Sequence, residues 1–139
     1  MQEIADCLKG VDVELWIKNP IISDIKLWSG AIERFQNIKI QNIKAIHRGF
    51  YCGNELTYRN QPKWGLLKEF KNMHPEIPIV CDPSHIAGNK IYILEIIQQA
   101  YANCISKFMI EVHNSPQQVL SDRNQQISPN EFKNLLQYL

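Results

Sequence analysis

The sequence alternates between short apolar runs and longer amphipathic stretches, and this alternation repeats four times along the chain. The apolar runs are rich in β-branched residues and occupy positions 13–18, 43–48, 77–82 and 108–112. In the segments between and after them, apolar residues recur at helical spacing. Parallel strands need a crossover connection of about a dozen residues or more, usually a helix. The pattern therefore predicts an α/β fold with four consecutive βα units and parallel strands.

Local signals set the boundaries of the predicted helices. Ser23 or Asp24 can cap the second helix, because the apolar positions that follow, from Leu27 to Ile38, fall on one face. Ser128 and Glu131 form a capping box at the start of the closing helix. The predicted helices cover 2–8, 23–38, 62–72, 91–101 and the residues from 128 onward, and residues 83–88 are predicted to be a turn.

Length and charge limit the class of protein. With 139 residues and no linker or low-complexity segment, the chain is predicted to be a single domain spanning residues 1–139. It is too short for a complete eight-fold α/β barrel, which needs about 250 residues. Fifteen Lys and Arg against fourteen Asp and Glu leave a net charge of +1, which predicts no nucleic-acid or membrane-surface partner.

The cysteine pattern and the hydropathy of the chain indicate the cytoplasm. The four cysteines are scattered without a C-x-x-C pair, which favours free thiols in a reducing compartment over a disulfide framework. No apolar stretch reaches the roughly 18 residues of a membrane span, and no signal sequence opens the chain. We therefore predict a cytoplasmic protein without a membrane-spanning segment.

Each apolar run ends in a side chain suited to chemistry. Lys18 ends the first run, Arg48 the second, the segment 82–85 follows the third, and Glu111 lies near the end of the fourth. In parallel α/β folds, ligands bind outside the carboxyl ends of the strands. We therefore expect these side chains to meet although about thirty residues of sequence separate each from the next.

Taken singly, each of these residues also has a purely structural interpretation. Lys18 and Arg48 are compatible with solvated strand ends, and His85 with a turn histidine that has a local partner. Asp122, in the loop after the fourth run, is compatible with a turn or cap residue. Glu111 is harder to explain in this way, because a carboxylate inside an apolar run requires a cation.

Taken together, the residues form two sets. Lys18 and Arg48 are cations suited to a phosphate or carboxylate. His85, Glu111 and Asp122 provide one imidazole nitrogen and two carboxylates, a mixed set that suits Mn, Fe, Co or Zn. The sequence therefore predicts a metal-assisted reaction on an anionic, phosphorylated small molecule.

Several motifs in order also carry a family resemblance, which extends over essentially all 139 residues. The chain resembles 3-deoxy-7-phosphoheptulonate synthase (DAHP synthase) of the type I beta class, in the version fused to chorismate mutase. The matching segments are Ile17–Pro20, Trp28–Glu33, Ile46–Gly49, Tyr58–Asn60, Cys81–Gly88, Met109–His113, Leu120–Asp122 and Gln125–Gln126.

The resemblance implies a fold and an activity. The family fold is a (β/α)8 TIM barrel, and this chain resembles its second half, strands five to eight. The implied reaction is the condensation of phosphoenolpyruvate with erythrose 4-phosphate, the first step of the shikimate pathway of aromatic amino-acid biosynthesis. By position, Lys18 and Arg48 would bind phosphoenolpyruvate, and His85, Glu111 and Asp122 would bind a divalent metal. Lys18, Arg48 and His85 are the implied catalytic residues, with Asp122 also at the substrate.

A half barrel leaves features of the family without a counterpart. A cysteine metal ligand and an arginine and a lysine belong to the family's first half; Cys52, just past the second run, is the alternative thiol. The predicted sheet has two open edges, and its predicted interior face lacks an opposing layer. The members of this face are Val13, Leu15, Ile46, Val80 and Ile110. We therefore expect self-association or an amino-terminal half-barrel partner.

Two other functions remain open from the sequence. The chain is also compatible with a truncated, non-catalytic half barrel, either a remnant or an assembly module that needs an amino-terminal half. A related phosphoenolpyruvate-condensing sugar-acid synthase, acting on arabinose 5-phosphate or a sugar amine, is the third hypothesis. The intact set Lys18, Arg48, His85, Glu111 and Asp122 favours the synthase.

Overall fold

Three parallel strands form the centre of the structure. The structure is a computed structural model, and it describes residues 1–53 and 57–139. The strands are β1 (Leu15–Lys18), β2 (Ile43–His47) and β3 (Ile79–Cys81), in the spatial order β1-β2-β3. The register aligns Ile17 with Ala45 and Ala45 with Ile79. The predicted parallel α/β architecture is therefore confirmed for the first three units.

Helices connect the strands as predicted. Their bounds are α1 (Gln2–Leu8), α2 (Ile25–Asn37), α3 (Trp64–Met73), α4 (Pro83–Ala87), α5 (Ile93–Ala102) and α6 (Pro129–Leu135). Asp24 caps α2 by accepting bonds from two main-chain N–H groups, and the capping box predicted for Ser128 and Glu131 is present at the start of α6. No helix in the described part of the chain is long and apolar enough to cross a membrane.

The segment predicted as a turn, 83–88, is instead a short helix, α4. Asp82 caps it, since its side chain accepts a bond from the His85 main-chain N–H at 3.0 Å. Pro83 at the first helical position needs no hydrogen-bond acceptor for its nitrogen. Gly88 ends the helix with a φ of 67°, a conformation that favours glycine. These three residues are a helix signal that the turn prediction overlooked.

The fourth predicted strand, 108–112, does not form as a strand among the described residues. It makes only isolated parallel bridges, Phe108 to Cys81 and Val112 to Ile127. The ladder stops because the Glu111 main-chain N–H donates to Ser84 Oγ at 3.0 Å and the Glu111 carbonyl accepts from Ile127 at 3.1 Å. Ser84 of α4 and Ile127 of the following loop thus replace the strand partners, and the predicted fourth strand is not confirmed among the described residues.

The core lies between the helices and one face of the sheet. Trp28 of α2 stacks on Phe70 of α3 with ring centroids 3.9 Å apart. The Trp28 indole N–H donates to the Ile17 carbonyl at 3.0 Å, so α2 is also bonded to β1. Side chains alternate between the two faces of a strand, and the register therefore places Ile17, Ala45 and Ile79 together on the helix side.

The opposite face has a different composition from the predicted interior face. Only Ile46 and Val80 of the five predicted members lie on it. Val13, Leu15 and Ile110 pack against the helix-side core, because they share the alternation of Ile17 and Phe108. Trp16 lies on the open face and is 46% exposed.

Polar groups surround this exposed tryptophan. Lys44 Nζ lies 4.7 Å from the centre of the Trp16 ring and 2.8 Å from Glu14 Oε2. The Lys44 ammonium is attracted both to the face of the Trp16 ring and to the Glu14 carboxylate. The open face near the amino ends of β1 and β2 is thus amphipathic and not purely apolar.

Candidate functional site

The carboxyl ends of β1 and β3 bring Lys18, Asp82 and His85 together. Lys18 is the last residue of β1, Asp82 directly follows β3, and His85 lies in α4. Lys18 Nζ is 3.1 Å from Asp82 Oδ2, and His85 Nδ1 is 2.8 Å from the same oxygen. The contact joins residues 64 positions apart in the chain. Asp82, which sequence reasoning treated only as part of a segment, is the residue that links them.

Asp82 is fully buried but ionised. Burial raises the pKa of Asp82, but the close Nδ1 contact, the main-chain N–H and the charge of His85, together with the charge of Lys18, outweigh this effect, and the pKa lies below its ordinary value. The carboxylate therefore remains an acceptor at neutral pH. It lies at ion-pair distance from both Lys18 and His85, and its negative charge favours the imidazole tautomer with the proton on Nδ1, although the Nδ1 contact lacks hydrogen-bond geometry.

Glu111 faces the other nitrogen of His85. His85 Nε2 is 3.5 Å from Glu111 Oε1. The second oxygen, Oε2, accepts a hydrogen bond from Gln125 Nε2 at 2.9 Å. With the proton on Nδ1, beside Asp82, Nε2 presents a lone pair toward a carboxylate oxygen, an arrangement that a proton or a metal ion between them would stabilise.

Asp122 lies outside this pair. It has a φ of 56° at the start of a 3-10 turn, Arg123–Gln125, and its Oδ1 is bonded to the guanidinium of Arg59. In residues 1–53 and 57–139 no group of three or more His, Cys, Asp or Glu side chains is close enough to hold a metal ion. The structure thus joins two of the three predicted metal ligands and holds the third on an arginine.

The geometry of His85 and Glu111 fits two positions of a metal site. Two ligand atoms about 2.1 Å from one ion at a tetrahedral angle are about 3.4 Å apart, close to the 3.5 Å separation of Nε2 and Oε1. A carboxylate on the far nitrogen of the histidine, here Asp82, is the usual outer partner of a metal-binding imidazole. Cys52 is exposed, with its Sγ 3.6 Å from the Phe50 carbonyl, and belongs to no metal-binding group among the described residues.

Arg48 follows β2 on the side of the sheet that carries Lys18. Its main-chain N–H donates to Asn19 Oδ1 at 2.7 Å, and Asn19 Nδ2 donates to the Gly49 carbonyl at 2.8 Å. This buried asparagine connects the ends of β1 and β2. The Arg48 Nε atom is buried, and in the part of the chain that the structure describes it has no hydrogen-bond partner. An unpaired buried guanidinium N–H favours an anionic ligand at this position.

Several residues of the site were not singled out as site residues from the sequence. Asn60 donates to the His85 carbonyl at 2.8 Å, Arg59 contacts Asp122, and Gln125 supports Glu111. Asn19, Arg59, Asn60 and Gln125 fall within the motifs that carry the resemblance. Their roles depend on contacts between distant segments, and the motifs alone do not show these contacts.

His47, beside Arg48, gives the site region a pH-dependent stability. It is fully buried, with ring centroids 5.8 Å from Phe50 and 5.2 Å from Trp64. Burial lowers the pKa of His47 to about 4, although the Pro62 carbonyl and the Asp82 charge oppose this. The unfolded value is about 6.5, so between these values the unfolded chain binds more protons and stability rises with pH.

We therefore expect the free energy of unfolding to fall by about 2 kcal/mol between pH 7 and pH 5. Urea denaturation at both pH values, followed by circular dichroism, measures the change. His47→Phe keeps an aromatic ring in the same pocket and removes the titrating group. The variant should therefore lose most of the pH dependence, and an unchanged slope in the variant would contradict the assignment to His47.

Comparisons with known proteins point to one family. The DAHP synthetase I family matches residues 5–139. The phospho-2-dehydro-3-deoxyheptonate aldolase of Thermotoga maritima is 34% identical over 61 residues, which are 44% of this chain and 18% of that protein. The chain therefore spans only a small part of that relative in the matched region.

Two solved structures from Thermotoga maritima share the fold. The crystal structure of phospho-2-dehydro-3-deoxyheptonate aldolase (DAHP synthase) has a TM-score of 0.79 at 25% identity, over 88% of this chain and 36% of that chain. A truncated form of 3-deoxy-D-arabino-heptulosonate 7-phosphate synthase has a TM-score of 0.86 at 23% identity. The match covers 99% of this chain and 52% of that chain. This chain thus spans between about a third and about half of the solved chains it matches.

Proposed function

Because the chain belongs to the DAHP synthetase I family, we propose that it is half of a DAHP synthase barrel that becomes catalytic when the barrel is complete. The relatives it matches are transferases of the aldol type. The proposed half contains strands five to eight, and the proposed subgroup is the type I beta class found fused to chorismate mutase. The proposed location is the cytoplasm, which the four free cysteines support.

The proposed reaction condenses phosphoenolpyruvate with erythrose 4-phosphate in the first step of the shikimate pathway. The observation that carries it is the continuous line of contacts from Lys18 through Asp82 and His85 to Glu111. This line places a cation for an anionic substrate beside an imidazole–carboxylate pair suited to a divalent metal. The cation suits the anionic groups of a phosphorylated enol, and the imidazole–carboxylate pair suits a metal that polarises an aldehyde; the proposed reaction uses both.

The chain's own residues have separate roles in this proposal. In the condensation, the enol carbon of phosphoenolpyruvate bonds to the aldehyde carbon, water adds at the neighbouring carbon, and phosphate leaves. Lys18 and Arg48 bind the anionic groups of phosphoenolpyruvate and balance the charge of the leaving phosphate. Asp82 pairs with Lys18, and its negative charge 2.8 Å from Nδ1 favours the His85 proton on that nitrogen.

A divalent metal (Mn, Fe, Co or Zn) would supply the polarisation of the aldehyde carbonyl when bound. His85 and Glu111 would hold it, and Asp122 is the proposed third ligand, also near the aldehyde substrate. Gln125, 1% exposed, orients Glu111 for this role through its amide N–H. The Ser84 hydroxyl fixes the main chain at the same residue.

The proposed partner is an amino-terminal half barrel or a second copy of this chain. In the described sheet, β1 is hydrogen-bonded to β2 on one side only, which leaves the other edge of β1 free for a further strand. The exposed Trp16 on the open face also favours a covering layer. Closing the barrel would bring the missing arginine, lysine and cysteine side chains of the family's first half toward Lys18 and His85.

Phosphate release tests the proposal. The chain is co-expressed with the first half of the Thermotoga maritima enzyme, and sedimentation confirms that the halves associate. With phosphoenolpyruvate, erythrose 4-phosphate and Mn²⁺, we expect turnover by the associated halves. Both Arg48→Ala and His85→Ala should reduce it by about a thousandfold or more, because each removes a charge or ligand used in the transition state.

Two outcomes would contradict the synthase assignment. An associated pair that binds phosphoenolpyruvate but releases no phosphate would favour the non-catalytic assembly module. Turnover with arabinose 5-phosphate and none with erythrose 4-phosphate would favour a related sugar-acid synthase. Lys133→Ala, in α6 and away from the described cluster, is the control variant and should leave turnover unchanged.

A further inference from the structure

Arg59 lies in a segment fixed against the helix that carries His85. Its main-chain N–H donates to the Ala87 carbonyl at 3.2 Å, and the next residue, Asn60, donates to the Ile86 carbonyl at 3.1 Å. Gly88 leaves the space for this approach, since a Cβ there would lie 2.3 Å from the Arg59 Cβ. The start of the Arg59 side chain is therefore held in place by α4.

The guanidinium of Arg59 reaches both carboxylates of the candidate metal site, one directly and one through an amide. Its Nη1 is bonded to Asp122 Oδ1 and lies 2.8 Å from Gln125 Oε1. The other end of the buried Gln125 amide donates to Glu111 Oε2 at 2.9 Å. Since only Oε1 can accept from the guanidinium and only Nε2 can donate to a carboxylate, this network determines the orientation of the amide.

The Arg59 guanidinium and a divalent cation compete for the Asp122 carboxylate, because each weakens the electrostatic attraction of the other to it. The Arg59 and Asp122 side chains are 47% and 31% exposed, so their ion pair is screened by water and is easily exchanged. Glu111 already lies beside His85, and Asp122 is the predicted ligand that has not joined them. The residue that separates Asp122 from the other two is therefore a positive charge supplied by the chain itself.

We propose that Arg59 is an internal counter-cation that competes with the divalent metal for Asp122 and thereby sets the metal affinity of the site. Without metal, the guanidinium balances the Asp122 charge and keeps this carboxylate apart from His85 and Glu111. When a metal binds, Asp122 exchanges its guanidinium partner for the ion, and Arg59 stays bonded to Gln125. This inference rests on the proposed metal site, but it does not require the condensation activity.

Binding of Mn²⁺ alone, followed by isothermal titration calorimetry and by the electron paramagnetic resonance signal of free Mn²⁺, tests the proposal. Arg59→Gln should lower the Kd for Mn²⁺ by about fivefold, because it removes both the competing partner and a nearby positive charge. Arg59→Lys keeps the charge and should stay near the wild-type value. Arg123→Gln removes an exposed arginine next to Asp122 in sequence and should change the Kd by less than about twofold.

A double-mutant cycle separates competition for Asp122 from general repulsion of the metal. In an Asp122→Asn background, Arg59→Gln should no longer tighten Mn²⁺ binding. An equal effect in both backgrounds, or equal or weaker binding by Arg59→Gln, would overturn the proposal. In either of these cases a loss of Mn²⁺ binding in His85→Ala would still support the metal site. Absence of Mn²⁺ binding by the wild-type chain and by Arg59→Gln would overturn both the proposal and the metal site.

Discussion

Trp28→Ala should lower the free energy of unfolding by about 3–5 kcal/mol, the range typical of deleting a buried aromatic ring. Trp28 is fully buried and stacks on Phe70 at 3.9 Å, so its removal leaves a cavity between α2 and α3. The variant also loses the indole hydrogen bond to Ile17, and with it a link between α2 and the edge strand β1. Urea denaturation at pH 7, followed by circular dichroism, measures the change.

A neighbouring position provides the matched control. Leu27 lies in the same helix but is 55% exposed, and Leu27→Ala should cost less than about 1 kcal/mol. Trp28→Phe keeps an aromatic ring against Phe70 but loses the indole N–H, and an intermediate loss is expected. A loss below about 1 kcal/mol for Trp28→Ala would contradict the view that the α2–α3 contact is central to the core.

The three central strands and the main helices could be predicted because their signals are local. Periodic apolar residues identify α2 and α5, and the β-branched runs that contain Ile43 and Ile79 identify β2 and β3. The same runs also indicate which residues end each strand. The meeting of Lys18 with the segment after β3 was therefore expected from the general rule for parallel sheets.

The errors arose where tertiary contacts override a local pattern. Residues 108–112 have the composition of a strand, but the Glu111 backbone bonds to Ser84 and Ile127 instead of continuing a ladder. The prediction places Leu15 on the interior face together with Ile46. Lys18 is on the same face as Ile46, and Leu15, three residues before Lys18 in the same strand, must therefore point to the other face. This second error was avoidable from the sequence alone.

The candidate site could be predicted only in part for a related reason. The types and order of the residues indicated a cation set and a metal set, but the pairing of Asp122 with Arg59 joins positions 63 residues apart. Gln125 is uncharged, so a search for charged side chains does not find it, yet its buried amide donates a hydrogen bond to Glu111. Contacts of this kind depend on loop geometry, for which a single sequence carries little signal.

Asp82→Ala should lower the free energy of unfolding by about 2–4 kcal/mol, because this one carboxylate has three structural functions. It caps α4, bonds to Lys18 at 3.1 Å, and lies 2.8 Å from His85 Nδ1. Lys18 is 39% exposed and can recover water, whereas the His85 side chain is only 16% exposed. The larger part of the loss should therefore come from the helix cap and the histidine. Urea denaturation at pH 7 measures it.

Asp82→Asn separates the cap from the charge. The amide oxygen can still accept from the His85 main-chain N–H, so this variant should retain part of the stability that Asp82→Ala loses. Both variants lack the negative charge that faces Nδ1 at 2.8 Å, and the ¹⁵N chemical shifts of the His85 ring should show a loss of the preference for a proton on that nitrogen. A ring that keeps this tautomer in both variants would contradict the role of Asp82, since the orientation of His85 toward Glu111 would then have another origin.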